Sequence, residues 1–425
     1  MTVLMFGWEF PPHITGGLGT ACFGLTKSLF LRGMDIIFVV PKLFGDENTE
    51  VARVVGADNV AVKIDSIKQF SQSINSKYIE INSKLVPYQT DEEYFRLANS
   101  STVSVEGNVD ENKYFSFSAG YGKDLYSEVE RYAIVASQIA RDFEFDIIHC
   151  HDWLTYKSGI EAKKISRKPL VVHVHATEID RSGYNNINSL VFEIEKSGMD
   201  EADKIVCVSQ YTKDILVKYY HQDPSKIAVV HNGIDKEPLA TKHAKVKKSA
   251  KLVTFLGRIT HQKGPEYFVD AAAKILAKDR DVHFVMVGSG DLYNKMVEKV
   301  AEQGLADRFH FTGFLNQADV NKILSATDVY VMPSVSEPFG ISALEALEND
   351  VPIVISKQTG VGEVVNNALK ANYWDTDSIA DSIYALLNYK TLKNTMVKEC
   401  RRDLEHLSWE TAASKLENLY NQLLS

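Results

Sequence analysis

The sequence predicts an α/β fold of two doubly wound domains, and three observations carry that prediction. The strand candidates are continuous Val/Ile-rich runs, the signature of a parallel sheet covered on both faces. Each run is followed by a polar or glycine-rich loop and then by apolar residues at helical spacing, the order of a strand–helix–strand unit. The alternation stops once, at a lysine-rich stretch near mid-chain, and then restarts. A length of 425 residues suits two or three domains.

The first strand is expected in TVLMFGWEF, ahead of a glycine turn. GTACFGLTKSLFLRG follows as a helix, with Phe23, Leu25, Leu29 and Leu31 at helical spacing and a stop at Gly33. MDIIFVVPK, FDIIHCHDW, KPLVVHVHATE, DKIVCVS and KIAVVHNGID read as further strands of the same sheet. Residues 46–120 are polar with short alternating segments, and read as an insertion of short strands or hairpins near a ligand cleft. KEPLATKHAKVKKSAK (236–251), with six lysines and no apolar periodicity, reads as a solvated interdomain loop. Beyond it the strands KLVTFLGR, VHFVMVGSG, FHFTGF, DVYVMPS and VPIVISK alternate with helices through PEYFVDAAAKILAK, LYNKMVEKVAEQG, ADVNKILSA and GISALEAL. SWETAASKLENLYNQLL closes the chain as a long helix. The expected units are residues 1–240, 241–407 and a terminal helix, 408–425.

Hydrophobic residues make up 45% and charged residues 24%, a globular rather than a disordered composition. Lys and Arg total 47 against 56 Asp and Glu, a net charge of −9. That balance speaks against a nucleic-acid partner but allows a local basic cleft. No apolar run reaches the ~18 residues of a membrane span, so no membrane partner is expected. The N-terminus lacks a basic region and a cleavage site, so no secretory signal is expected. Cys22, Cys150, Cys207 and Cys400 are scattered with no CxxC pair, which points to reduced thiols and a cytoplasmic setting.

Four motifs carry chemistry. The turn Ile14-Thr15-Gly16-Gly17-Leu18-Gly19 opens a helix, and its glycines let backbone amides approach an anion. It is neither a dinucleotide GxGxxG nor a P-loop. Two His-x-His segments, His149/His151 before Asp152 and His173/His175, end strands, with each pair on one strand face. Four histidines could bind zinc in a metal-dependent hydrolase. The other reading has His149 and His173 in the core and His175, nearest a loop, on substrate. Gly257-Arg258-Ile259-Thr260-His261-Gln262-Lys263-Gly264 sets two cations five residues apart, suited to a diphosphate. In Pro333–Glu345, Pro338 and Gly340 lie at a helix mouth, the amides of Phe339, Gly340 and Ile341 point toward an anion, and Glu337 and Glu345 flank it. Asp375-Thr376-Asp377 imitates a metal-binding DxD, but reads as a helix cap at Asp377 or Ser378.

The Glu-x7-Glu element, the GRIxxxKG loop and the early GGLG turn, in this order, resemble a retaining glycosyltransferase of family 4. HVHATEIDRSG and SKQTGVGEV look most like the bacterial and archaeal glycogen synthases of that family. The resemblance implies a GT-B fold, two Rossmann-like domains facing a central cleft. The first would bind acceptor and the second a nucleotide-sugar, UDP- or ADP-glucose, with the last helix crossing back. It implies that Arg258 and Lys263 bind the donor diphosphate, Glu345 the ribose and Glu337 the donor sugar. The Phe339, Gly340 and Ile341 amides would contact phosphate or sugar, and Gly16 and Gly17 would approach the diphosphate from the other domain. His175 would bond the sugar 6-hydroxyl, and Asp152 would touch a glucan acceptor. No cofactor and no metal are implied. Thr15 stands where glycogen and starch synthases of a neighbouring family carry lysine, which removes one phosphate contact. A hexosyltransferase acting on a lipid or surface-polysaccharide acceptor is the alternative within the family. A sugar-binding module without catalysis would leave the cations and the glutamate pair incidental.

Overall fold

The first strand, β1 (Thr2–Phe6), is apolar after Thr2, and Val3, Leu4, Met5 and Phe6 are wholly buried. The computed structural model describes residues 1–13, 16–63, 112–122, 124–183, 186–234 and 250–425. After β1 come α1 (Gly17–Leu31), β2 (Asp35–Val40), β3 (Arg53–Gly56) and a short antiparallel pair, β4 (Val62–Lys63) with β5 (Asn112–Lys113). The first unit continues with α2 (Leu125–Asp142), β6 (Ile147–His151), α3 (Trp153–Ser166), β7 (Leu170–Val174) and α4 (Glu178–Ser182). It ends with α5 (Ser189–Glu201), β8 (Lys204–Cys207), α6 (Gln210–Tyr219) and β9 (Ile227–Val229). Among the described residues these strands build a seven-stranded sheet in the order β3-β2-β1-β6-β7-β8-β9, parallel at every pairing.

The second sheet has six strands in the order β12-β11-β10-β13-β14-β15, again all parallel. Its elements are β10 (Lys251–Leu256), α7 (Pro265–Leu276), β11 (Val282–Val287), α8 (Tyr293–Glu302), β12 (Phe309–Gly313) and α9 (Gln317–Ala326). These are followed by β13 (Val329–Met332), α10 (Ile341–Glu348), β14 (Ile353–Ser356), β15 (Leu369–Ala371), α11 (Thr376–Asn388), α12 (Lys390–Leu404) and α13 (Trp409–Leu424). In both sheets the strand order reverses beside the first strand, between β1 and β6 and between β10 and β13. Crevices outside the strand C-termini at such points are where open parallel sheets bind ligands.

Three expectations need correction. Residues 53–56 are not insertion: β3 pairs with β2 from Ile37↔Arg53 to Val40↔Gly56, as an edge strand too short to show a period. Lys251 belongs to β10 rather than to the linker; residues 64–111 and 235–249 lie outside the described residues. The cap of α11 is Asp375, not Asp377 or Ser378: its carboxylate accepts from the Ser378 amide at 3.0 Å. Asp377 instead pairs with Lys274 at the surface.

Helix α13 leaves the second sheet and packs on α1 of the first. A methyl group at Gly24 would sit 2.4 Å from the Trp409 ring, so only glycine admits the indole. Ser408 caps the helix through the Thr411 amide, and Arg32 pairs with Glu417. Trp409, Ala412, Ala413, Leu416 and Tyr420 complete the core between α1 and the sheet. Trp409→Ala is therefore expected to cost about 3–5 kcal/mol of stability, read as a lower denaturation midpoint. A midpoint close to wild type would mean that α13 contributes little to that core.

Candidate functional site

The loop after β10 is folded against the segment after β13. Gly264 has φ +64°, and a side chain there would meet the Pro333 carbonyl at 2.2 Å, so glycine lets the two loops touch. This contact brings the Lys263 ammonium to the Glu337 carboxylate at 2.5 Å, with the Ser334 hydroxyl at 3.3 Å from the same oxygen. Glu337 is 6% exposed, so its charge depends on these partners. Arg258 is exposed in the same loop, close enough to Asp291 to stabilise that carboxylate's charge.

Two helix N-termini meet beside this ion pair. Gly340 (φ +107°) starts α10, and a methyl at Gly17, the first residue of α1, would lie 3.9 Å from Ile341 Cδ1. Ile341 packs against the cores of both sheets. Unpaired amides at the two helix starts, with dipoles directed to one region, make an anion site with cations at its edge. Gly16 precedes α1 as its cap; Ile14 and Thr15 lie outside the described residues. The Phe339 side chain is buried, so only its backbone can serve a ligand. Glu345 lies one turn into α10, partly buried, with Gln317 Nε2 3.3 Å away; burial raises its carboxyl above the usual range.

The four histidines form one stack between β6 and β7. His149 and His151 rings lie 4.6 Å apart, and His173 and His175 4.2 Å apart. His149 Nε2 shares a hydrogen bond with His173 Nδ1 at 3.2 Å, and His151 Nδ1 with His175 Nε2 at 3.0 Å. His149 Nδ1 also bonds the Tyr420 hydroxyl of α13. Burial holds His149 and His175 at a pKa of about 3, so the stack is uncharged at neutral pH. Ligand atoms of Cys22, His151 and His175, and those of His149, His151 and His173, fall within 4.8 Å of one another. Each group, however, already uses one histidine–histidine bond. His175 keeps an unpartnered Nδ1 among the described residues.

Asp152 holds the His175 loop in place. Its Oδ1 accepts from the amides of His175 (2.7 Å) and Ala176 (3.3 Å), and burial pushes its carboxyl up to about 6. The stack also sets an acid limit on stability. An imidazole at about 3 when folded and at 6.5 when unfolded binds more protons unfolded across that window, so its stabilising contribution is lost as pH falls through it. His149→Gln keeps a hydrogen-bonding side chain without the titration. Between pH 7 and pH 5 it should lose about 2 kcal/mol less stability than wild type. Equal losses in melts at the two pH values would refute a neutral His149.

A second set of residues was not singled out by motif. Asp180 Oδ1 accepts from the Ser336 hydroxyl at 2.5 Å, joining the two sheets one residue from Glu337. Tyr211 OH reaches the same Ser336 at 2.9 Å, and Ser209 donates to the Pro338 carbonyl at 2.6 Å. Glu363 accepts from the Gln210 and Tyr211 amides at the start of α6. Arg181 pairs with buried Glu178 and Glu195, which fixes α4 from behind. The signal was present in the sequence: Thr177-x-x-Asp180 is a capping box, and both of its reciprocal bonds are formed.

Two parallel α/β units that join at helix N-termini and a basic loop have the architecture of GT-B glycosyltransferase structures. Residues 119–238 match the model of Glycosyltransferase Family 4 and residues 236–403 match that of Glycosyl transferases group 1. It is 28% identical to an uncharacterised glycosyltransferase of Methanocaldococcus jannaschii, over 99% of this chain and 98% of that protein. It is 22% identical to a Mycobacterium tuberculosis glycogen synthase, over 99% and 94%. It is 28% identical to an Escherichia coli UDP-Gal:alpha-D-GlcNAc-diphosphoundecaprenol alpha-1,3-galactosyltransferase, over 70% and 79%. The structure of sucrose-phosphate synthase from Thermosynechococcus elongatus superposes with a TM-score of 0.75 at 18% identity, over 99% and 98%. These findings replace the zinc-hydrolase alternative. Among the described residues no helix is long and apolar enough to cross a membrane.

Proposed function

We propose that the protein is a retaining, metal-independent hexosyltransferase that moves glucose from UDP- or ADP-glucose to the non-reducing end of an α-glucan, in the manner of a glycogen synthase. The observation that carries this reading is the meeting of the α1 and α10 N-termini, at Gly17 and Ile341, beside the Lys263 loop. Departure of the nucleotide concentrates negative charge on the diphosphate as the C1–O bond breaks. Fixed amides and the cations Arg258 and Lys263 would stabilise that charge where it develops. Glu345 would accept the ribose hydroxyls, and Glu337 would contact the donor sugar. The acceptor hydroxyl would attack C1 from the face the leaving group vacates, and its proton would pass to the leaving phosphate oxygen. His175 Nδ1 would take a sugar hydroxyl, with Asp152 beside the acceptor.

The glucan acceptor is supported by the glycogen synthase relative, which aligns over nearly the whole chain. The diphosphoundecaprenol-directed relative favours a lipid-linked acceptor as the second reading. A panel of nucleotide-sugars against glycogen, maltooligosaccharides and lipid-linked acceptors, read as product with the anomeric configuration assigned, tests both. Transfer to glycogen with the α-configuration kept, undiminished by EDTA, is the expected result. Inversion, or loss of turnover with EDTA that a divalent ion restores, would overturn the mechanism.

A further inference from the structure

Helix α4 continues the end of β7 that carries His175, and it lies against the His261–Lys263 turn of the second unit. Its Asp180 is 2% exposed, and the carboxylate is divided between the two units. Oδ2 accepts from the Thr177 amide at 2.8 Å and the Thr177 hydroxyl at 2.7 Å, within the first unit. Oδ1 accepts from the Ser336 hydroxyl of the second unit at 2.5 Å. Three donors on one buried carboxylate fix where it sits. Ser336 immediately precedes Glu337, whose backbone is held from its own side. The Glu337 amide donates to the Gln358 carbonyl and its carbonyl accepts from the Gly360 amide, both at 2.9 Å. Lys263 holds the Glu337 carboxylate.

We infer that Asp180 is a positioning residue for the transfer: through Ser336 it sets His175 of the first unit in register with Glu337 of the second. This inference rests on the glucan-transfer reading above. The division of contacts gives it a definite signature. The bonds that hold Glu337 lie within the second unit, so cutting the clasp leaves the donor-binding groups in place. What is lost is their alignment with His175. A misplacement of about 1 Å at a reacting centre costs on the order of a hundredfold in rate. Two other bonds reach the same segment, from Ser209 to the Pro338 carbonyl and from Tyr211 to Ser336. Both come from the start of α6, beyond β8, whereas α4 continues the strand end that carries His175.

Steady-state kinetics on the full chain test it, with UDP-glucose or ADP-glucose as donor and glycogen as acceptor. Ser336→Ala should lower kcat by about ten- to a hundredfold, while KM for the donor stays within about threefold. Asp180→Ala should lose a similar factor. The double variant should lose no more than the larger single loss, because both substitutions cut one bond. Asp180→Asn, whose amide can donate to Ser336 while its oxygen keeps Thr177, should restore most of the rate. Tyr211→Phe removes only the other Ser336 contact and should stay within about threefold of wild type. Hydrogen exchange over residues 177–183 reads the clasp without substrate. Ser336→Ala should speed that exchange several-fold, although the substitution lies in the other unit. Unchanged kcat in Ser336→Ala, a loss carried by donor KM, losses that multiply in the double variant, or unaltered exchange would overturn the assignment. Should Asp180→Ala fail to fold, the Ser336→Ala and Tyr211→Phe results decide. Wild type that transfers from neither donor, with the exchange effect present, would instead strike the glucan-transfer reading.

Discussion

Lys263→Ala is expected to lower turnover by about two to three orders of magnitude, and Arg258→Ala by a similar factor, with the fold intact. The Lys263 ammonium pairs with Glu337 at 2.5 Å, at a carboxylate that is almost fully buried. Under the proposed mechanism the alanine variant removes a transition-state cation, and it also leaves Glu337 without its ionic partner. The second effect can be measured separately. A melting curve reports the loss of the pair, whereas single-turnover transfer reports the loss of charge at the diphosphate. Lys263→Arg retains the charge but offers a planar fork in place of a compact ammonium, so it should recover stability more fully than rate. Arg258 is exposed, so Arg258→Ala should change rate with little change in melting temperature. If both alanine variants transfer sugar at near-normal rates, the diphosphate does not lie against this loop.

How much of this could be read from sequence follows from the kind of contact involved. Strands buried on both faces, such as β1 and β2, announce themselves because every residue after the first is apolar and almost all are buried. The four-residue edge strand β3 has too few residues to show a period, and it was absorbed into the polar stretch around it. Helices α2, α3 and α12 carry no motif and lie between the loops that do. The site loops were legible because glycine and proline mark them: Gly264 and Gly340 stand where the backbone is left-handed. What was not legible is what meets what across the two units. Asp180 and Ser336 are 156 residues apart, and neither residue type at its own position indicates a partner. The bond from Tyr420 to His149 spans 271 residues and depends on where α13 docks.

His175→Ala is expected to reduce the rate of transfer by about a hundredfold while changing donor affinity only a few-fold. Two fixed contacts and one open nitrogen make the case. The His175 amide is held by Asp152, its Nε2 by His151, and its Nδ1 is left without a partner among the described residues. A ring clamped this way is preorganised, and its Nδ1 is the nitrogen that would take a sugar hydroxyl. Burial holds the imidazole at about 3, so it acts as a neutral hydrogen-bonding group and not as a cation at working pH. The pH–rate profile follows with a definite sign. His175 should add no inflection near 6.5, because it does not charge there when folded. A limb near 6.5 that disappears in His175→Ala would show a titrating acid–base role instead. Asp152→Asn keeps an acceptor for the two loop amides and should retain most of the rate, whereas Asp152→Ala frees the loop and should approach the loss seen on removing the ring itself. If Asp152→Ala leaves the rate unchanged, the loop holds its shape without that carboxylate, and the preorganisation of His175 must come from the histidine stack alone.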